Sequence, residues 1–136
     1  MARSIATGNG GVQPRTSGFT LIELLVVMSI IATLLMIATP RYFHSLERSK
    51  EAVLRQDLSV MRDAIDKHYA DLARYPDTLA ELVDRHYIRS VPVDPETKSN
   101  DTWVLVQSED EATPGVRDVR SGSEATASDG SAYASW

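Results

Sequence analysis

One acid stands in chemically hostile surroundings. In the run Phe19 to Thr39, FTLIELLVVMSIIATLLMIAT, sixteen of twenty-one residues are apolar and Glu23 is the only charged side chain. A carboxylate there costs about 2 to 4 kcal/mol if the run lies in lipid. Such a residue is a functional candidate once a cationic partner can be named for it. The other groups able to do chemistry are sparse. His44, His68 and His86 are scattered, and none adjoins a serine or carboxylate pattern of nucleophilic catalysis. They read as ordinary surface or helix residues. The chain has no cysteine, which excludes a disulfide framework, a Cys-ligated zinc and a thiolate nucleophile. It has no glycine-rich phosphate loop. A net charge of −5 argues against nucleic acid as a partner. No catalytic function is expected.

The elements that position Glu23 follow from periodicity. With 136 residues the chain is one domain, and it falls into four segments. Residues 1–18 are rich in Gly, Ser, Thr, Asn and Gln, hold Arg3 and Arg15 and no acid, and have no hydrophobic period. They read as a disordered leader. Residues 19–39 form a helix candidate long enough, at about 1.5 Å per residue, to cross a hydrocarbon core of roughly 30 Å. Pro40 would ordinarily end or kink a helix, yet the pattern resumes beyond it. Leu46, Val53, Leu54, Leu58, Met61, Ile65, Tyr69 and Leu72 recur mostly at spacings of three and four, predicting an amphipathic helix over 40–73. Glu47, Lys50, Glu51 and Arg55, with Asp63 and Lys67 at i,i+4, predict a solvated outer face. If Pro40 only kinks the helix, residues 19–73 make one rod of about 80 Å.

Residues 74–136 carry the signals of a small α+β unit. Tyr75-Pro76 breaks the helix, and Thr78-Leu79-Ala80-Glu81 is a capping-box pattern that opens a short helix to about Arg85. Val91-Pro92 and Asp94-Pro95 mark an extended connection. Thr102 to Gln107 predicts a strand, with Val116 to Arg120 as its antiparallel partner. Ser121 to Trp136 reads as loop apart from Tyr133 and Trp136. Trp103 and Tyr133 are expected in the core. Sixty-three residues make a marginal core alone, so the sheet is expected to pack on the apolar stripe between Leu54 and Leu72.

Three readings of the apolar block compete. A cleaved secretory signal would be cut after Ala38, but that places Met36 at −3, where a small residue is needed. A plain membrane anchor explains length and apolarity and leaves Glu23 without a reason. The third reading is a resemblance. Gly18-Phe19-Thr20-Leu21-Ile22-Glu23-Leu24 resembles the processing motif of type IV pilins and type II secretion pseudopilins. It implies that a prepilin peptidase cuts after Gly18 and that Phe19 becomes the N-methylated mature N-terminus. Glu23 then occupies the fifth mature position and Pro40 the twenty-second, where the family commonly has a proline. It also implies a pilin-like lollipop, a long N-terminal helix with a transmembrane half and an amphipathic half, packed on a small antiparallel sheet.

A physical reason accompanies the motif. Cleavage after Gly18 creates an α-amine on Phe19, a cation able to neutralise Glu23. The two are i,i+4, so self-pairing is geometrically open. The resemblance instead implies pairing with the N-terminus of a neighbouring subunit in a filament, where an unpartnered buried carboxylate would be costly. It places the leader in the cytoplasm and the globular part in the periplasm, in a single pass through the bacterial inner membrane. Charge counting does not set that topology, since Arg3 and Arg15 precede the span while Arg41, Arg48, Lys50 and Arg55 follow it. A start at Val12 would shorten the leader.

Arg74-Tyr75-Pro76, Leu79 to Val83, and Tyr87-Ile88-Arg89-Ser90-Val91-Pro92-Val93-Asp94-Pro95 are similar to the stretch that follows the long helix in G-type pseudopilins. Asp129-Gly130 and Trp136 also resemble that family's end. The match departs after Pro95, where Glu96-Thr97-Lys98-Ser99-Asn100 replaces the family's Trp-Gly-Asn-Pro-Tyr. The resemblance implies the major pseudopilin of a type II secretion system. Such a protein polymerises into a periplasmic pseudopilus that drives protein export across the outer membrane. Its partners are copies of itself, a prepilin peptidase/N-methyltransferase, other pseudopilins and an inner-membrane secretion platform. A type IV pilin or minor pseudopilin is the neighbouring alternative, and a single-pass anchored binding domain that never assembles is the alternative of another class. From Asp94 onward there are nine acids and three bases. They read as a solvated face, or, as the resemblance implies, as part of a Ca²⁺ loop with Ser121 and Asp129 the candidate ligands. Hard Ca²⁺ takes six to eight oxygens.

Overall fold

The computed structural model describes residues 1–5, 8, 10–11 and 17–136. The readings on Arg15 and on a start at Val12 lie outside the described residues, as does part of the expected leader. The element order is α1 (Leu21–Leu72), α2 (Leu79–Asp84), β1 (Val104–Gln107), β2 (Val116–Arg120) and a closing 3₁₀ turn, Tyr133–Ser135. This is the α+β fold expected, a long N-terminal helix with a small two-stranded antiparallel sheet. The chain divides into two compact units, Met1–Thr39 and Pro40–Trp136, and each is described by itself.

In the first unit, α1 opens on Thr20, whose carbonyl accepts the Leu24 N–H at 3.2 Å and whose Oγ1 accepts the Glu23 N–H at 3.2 Å. Its large apolar side chains from Leu21 to Ile37 are exposed. The hydroxyls of Ser29, Thr33 and Thr39 donate to the carbonyls of Leu25, Ser29 and Leu35 at 2.8, 2.8 and 2.6 Å. Every side-chain hydroxyl between Leu21 and Thr39 is thus satisfied within the helix, as a lipid environment requires. By length and composition this segment can cross a membrane.

The second unit begins at Pro40, which α1 contains although proline has no N–H to donate. The buried residues of α1 are Glu51, Leu54, Leu58, Met61, Ala64, Ile65 and His68, a three-four spacing that keeps one stripe inward. One expectation is corrected here. Glu51 is not on the solvated face, being 5% exposed, while His68, a residue of α1, is fully buried. Both continue the stripe at its ends, where Leu46, Val53, Tyr69 and Leu72 were expected and are exposed instead. Periodicity fixes which face is inward, and the length of the covered face depends on what folds against it. Asp63 and Lys67 are exposed and form no ion pair among the described residues.

Ala73 ends α1 with φ of 54°, a left-handed cap, and donates its N–H to the Tyr69 carbonyl at 2.8 Å. Thr78 caps α2, its Oγ1 accepting the Glu81 N–H at 3.3 Å. The sheet pairs Val104 with Arg120 and Val106 with Asp118, and a register shift at Val106/Gln107 brings Gln107 opposite Val116. That bulge leaves Arg117 unpaired, so Val116 and Val119, three apart, are both fully buried. Strict alternation would have turned Asp118 toward the core in place of Val119. Both valines join Leu54, Leu58, Met61 and Ile65 of α1, with Trp103 and Tyr133, in one core cluster. The sheet is therefore backed by the helix, and the two aromatics are core. Gly115, at φ 122°, lies where a Cβ would stand 2.8 Å from Tyr75 Cβ and 2.9 Å from the Pro76 carbonyl. Its successor Val116 donates to that carbonyl at 2.8 Å, which draws the chain together.

Candidate functional site

Glu23 occupies the third position of α1, immediately after Leu21 and Ile22. With Thr20 as N-cap, the sequence Thr-Leu-Ile-Glu is itself a capping-box pattern, a signal that the emphasis on charge in the apolar run passed over. A carboxylate in the first turn is favoured by the helix dipole, so Glu23 has a local reason to be tolerated in addition to any partner. Among the described residues, no cation lies within ion-pair distance of it. Gly18 and Phe19 lie before the helix, exposed, and Phe19 is 82% exposed. Cleavage between them needs an accessible, non-helical peptide bond, and these residues offer one. In the uncut chain the Phe19 nitrogen is an amide, so a cation at that position requires cleavage.

Ser121 and Asp129 fall in different surroundings. Ser121 is fully buried; its Oγ donates to Asp94 Oδ2 at 2.6 Å and accepts the Ser123 N–H at 3.2 Å. Asp94 is fully buried too, and its Oδ1 accepts the N–H groups of Glu96 and Thr97 at 2.8 and 3.4 Å. Asp129 is exposed, accepts the Ser131 N–H and Oγ–H at 2.9 and 2.6 Å, and faces the Arg55 guanidinium at 3.8 Å. The bonds from Ser131 hold its carboxyl below the usual range, with Arg55 adding to the effect. No hydrogen bond joins Ser121 to Asp129 among the described residues.

The residue that sequence reasoning missed is Glu51. Its carboxylate accepts the Ser128 N–H at 2.6 Å, the Ser128 hydroxyl at 2.8 Å and the Tyr133 hydroxyl at 3.2 Å. The backbone and then the hydroxyl of Ser128 hold Glu51 below its ordinary value, against the opposing effect of burial. Burial and the nearby acids push the Tyr133 phenol up to about 12. The available signal was the spacing 51, 54, 58, 61, 65, 68, which places Glu51 in phase with the apolar stripe.

Comparison with known proteins bears on what these residues serve. Residues 13–39 match the family described as prokaryotic N-terminal methylation motif. Two proteins named type II secretion system core protein G are similar over most of their length. The one from Pseudomonas aeruginosa is 30% identical over 95 residues, covering 58% of this chain and 67% of the relative. That from Klebsiella pneumoniae is 31% identical over 97 residues, covering 60% and 69%. The chain belongs to the G-type pseudopilin family. This pseudopilin is also 36% identical over 69 residues to the type IV major pilin protein PilA of Myxococcus xanthus, covering 51% of the chain and 31% of that pilin. The chain thus spans less than a third of that relative's length. No solved structure matches it significantly. G-type pseudopilins are structural subunits, not enzymes, and the apolar helix fits a membrane-anchored member.

A second polar cluster in this pseudopilin is structural. Glu81 accepts from Arg74 Nη2 at 2.5 Å, Arg85 Nε at 3.1 Å and the Asp77 N–H at 2.8 Å, and faces His68 Nε2 at 3.3 Å. Arg74 above all, then the Asp77 N–H, pull the Glu81 carboxyl down to about 2. His68 Nδ1 faces the Arg74 carbonyl at 2.9 Å. Both ring nitrogens therefore face acceptors, and the ring makes both bonds only when doubly protonated. The cluster fastens the turn after α1 to α2.

Proposed function

We propose that this pseudopilin is an inner-membrane precursor that a prepilin peptidase cuts between Gly18 and Phe19 and methylates on the new Phe19 nitrogen. The mature chain polymerises with copies of itself, alongside other pseudopilins and on an inner-membrane secretion platform, into a periplasmic pseudopilus that drives export across the outer membrane. Its leader faces the cytoplasm, and residues 40–136 face the periplasm. The observation that carries this reading is Glu23, the one charge in an exposed apolar helix, five residues past Gly18. Removal of the leader supplies the missing cation, and an acid without that cation is costly once the helix is buried among its neighbours. The carboxylate thereby selects one axial register.

Replacing Glu23 with leucine tests the mechanism. Glu23→Leu should leave membrane insertion intact and abolish filaments when the chain is overexpressed with its assembly system. Unchanged filaments in that variant would sink it. A type IV pilin is the second reading, favoured by the match to the Myxococcus pilin. Export abolished by deleting the protein, with surface pili unaffected, separates the two.

A further inference from the structure

The sequence resemblance implies a Ca²⁺ ion in the C-terminal loop, and the side chains of this chain do not fit one. The hydroxyl hydrogen of Ser121 is donated to buried Asp94, leaving that oxygen inside the core. Asp129 is occupied by Ser131 and faced by a guanidinium, so a cation already stands on the side a metal would need. Among the described residues, no group of three or more Asp, Glu or His side chains converges to hold a metal. A hard divalent ion seeks six to eight oxygens.

We infer that Glu51 holds the C-terminal segment of this pseudopilin in place, so that its folding is independent of calcium. The polarity of the tie is reversed relative to a metal site. In place of a cation gathering oxygens from the loop, one helix carboxylate gathers the loop's donors: the Ser128 N–H, the Ser128 hydroxyl and the Tyr133 hydroxyl. These partners lie 77 and 82 residues away in the chain, so the tie is tertiary. One turn along α1, Arg55 places its guanidinium 4.2 Å from the centre of the Trp136 ring and 3.8 Å from Asp129. Residues 51 and 55 are i,i+4 neighbours on the helix surface and together grip Ser128, Asp129, Tyr133 and Trp136. The segment is also closed on itself: Ala127 donates to Ser131 at 2.7 Å and Tyr133 to Ala125 at 3.2 Å, with a bridge between Thr126 and Ala132. Charge-assisted bonds to a mostly buried carboxylate are the strong class of hydrogen bond. Removing the acceptor would leave the buried Tyr133 hydroxyl unsatisfied. The inference concerns residues 40–136 and stands whether or not the chain forms filaments.

Thermal unfolding of the full chain in detergent, followed by near-ultraviolet circular dichroism, tests it. The midpoint is measured in millimolar CaCl₂ and again in excess chelator, for the unaltered chain and for Glu51→Gln. The expected result is one midpoint for the unaltered chain in both buffers. A fall of about 5 °C is expected in Glu51→Gln, and added calcium should not restore it. If Glu51→Gln does not accumulate, Ser128→Ala removes one hydroxyl donor and should give a smaller fall of the same sign. A midpoint raised by calcium in the unaltered chain would overturn the inference. So would unchanged midpoints in the Glu51 or Ser128 variant.

Discussion

Two stretches of the same helix treat apolar side chains in opposite ways. Between Leu21 and Ile37, leucine, isoleucine and valine stand exposed, Leu34 at 61%. Further along, Leu54, Leu58, Met61 and Ile65 are sealed, Leu58 at 2%. The later stretch finds its cover within the chain, in Val116, Val119, Trp103 and Tyr133. The earlier one satisfies its own hydroxyls and has no such cover among the described residues; in the proposed function its cover is first lipid and then neighbouring helices. Their acids differ in the same way. Glu51 has its donors within the chain, whereas Glu23 has no ion-pair partner among the described residues, and in the proposed function cleavage makes one.

That contrast breaks most visibly at Leu58. Leu58→Ala should lower the unfolding free energy of the globular part by about 2 to 5 kcal/mol, from lost burial and a residual cavity, measured by denaturant titration in detergent. Glu81→Ala removes the acceptor shared by Arg74, Arg85 and the Asp77 N–H. It should cost less, about 1 to 3 kcal/mol, because both arginines are partly exposed and screened by solvent. The pH dependence is a gentler probe of the same carboxylates. Glu81 and Glu51 have folded values below the ordinary 4.5, so their contribution is present above that value. It is lost as pH falls through the folded value, for Glu81 toward about 2. The unfolding midpoint should therefore decline with acidification below about pH 4.5, and Glu81→Gln should flatten the decline. Asp57, raised by burial and by Asp94, works in the opposite sense. Smallest of all, Leu34→Ala should leave the midpoint of the globular part unchanged; a shift as large as that of Leu58→Ala would erase the distinction between the two stretches.

Much of this was legible in the sequence. The apolar run, the capping threonine at Thr78, and the strands ending at Gln107 and Arg120 all emerge from local chemistry, because each is decided by neighbours within a few residues. The motif from Gly18 to Glu23 was legible for the same reason. What escaped was decided at long range. Glu51 looked solvated because glutamate usually is, and its partners Ser128 and Tyr133 come within reach only after the sheet has folded onto the helix. His68 was hidden in the same way, its partners Arg74 and Glu81 being brought to it by the turn at Ala73. The pairing of Ser121 with Asp94, 27 residues apart, has no local signature. The bulge at Arg117 is the remaining case, since Val-Arg-Asp-Val-Arg does not alternate and only an extra residue lets both valines face inward.

The central claim is that the exposed apolar helix begins, in the working protein, at a new N-terminus. Intact-mass and N-terminal peptide mass spectrometry of the protein purified from membranes with its processing system tests it directly. The account predicts a chain that starts at Phe19 and carries one additional methyl group on that residue's nitrogen. A chain with residues 1–18 still attached, or one cut after Ala38, would contradict it.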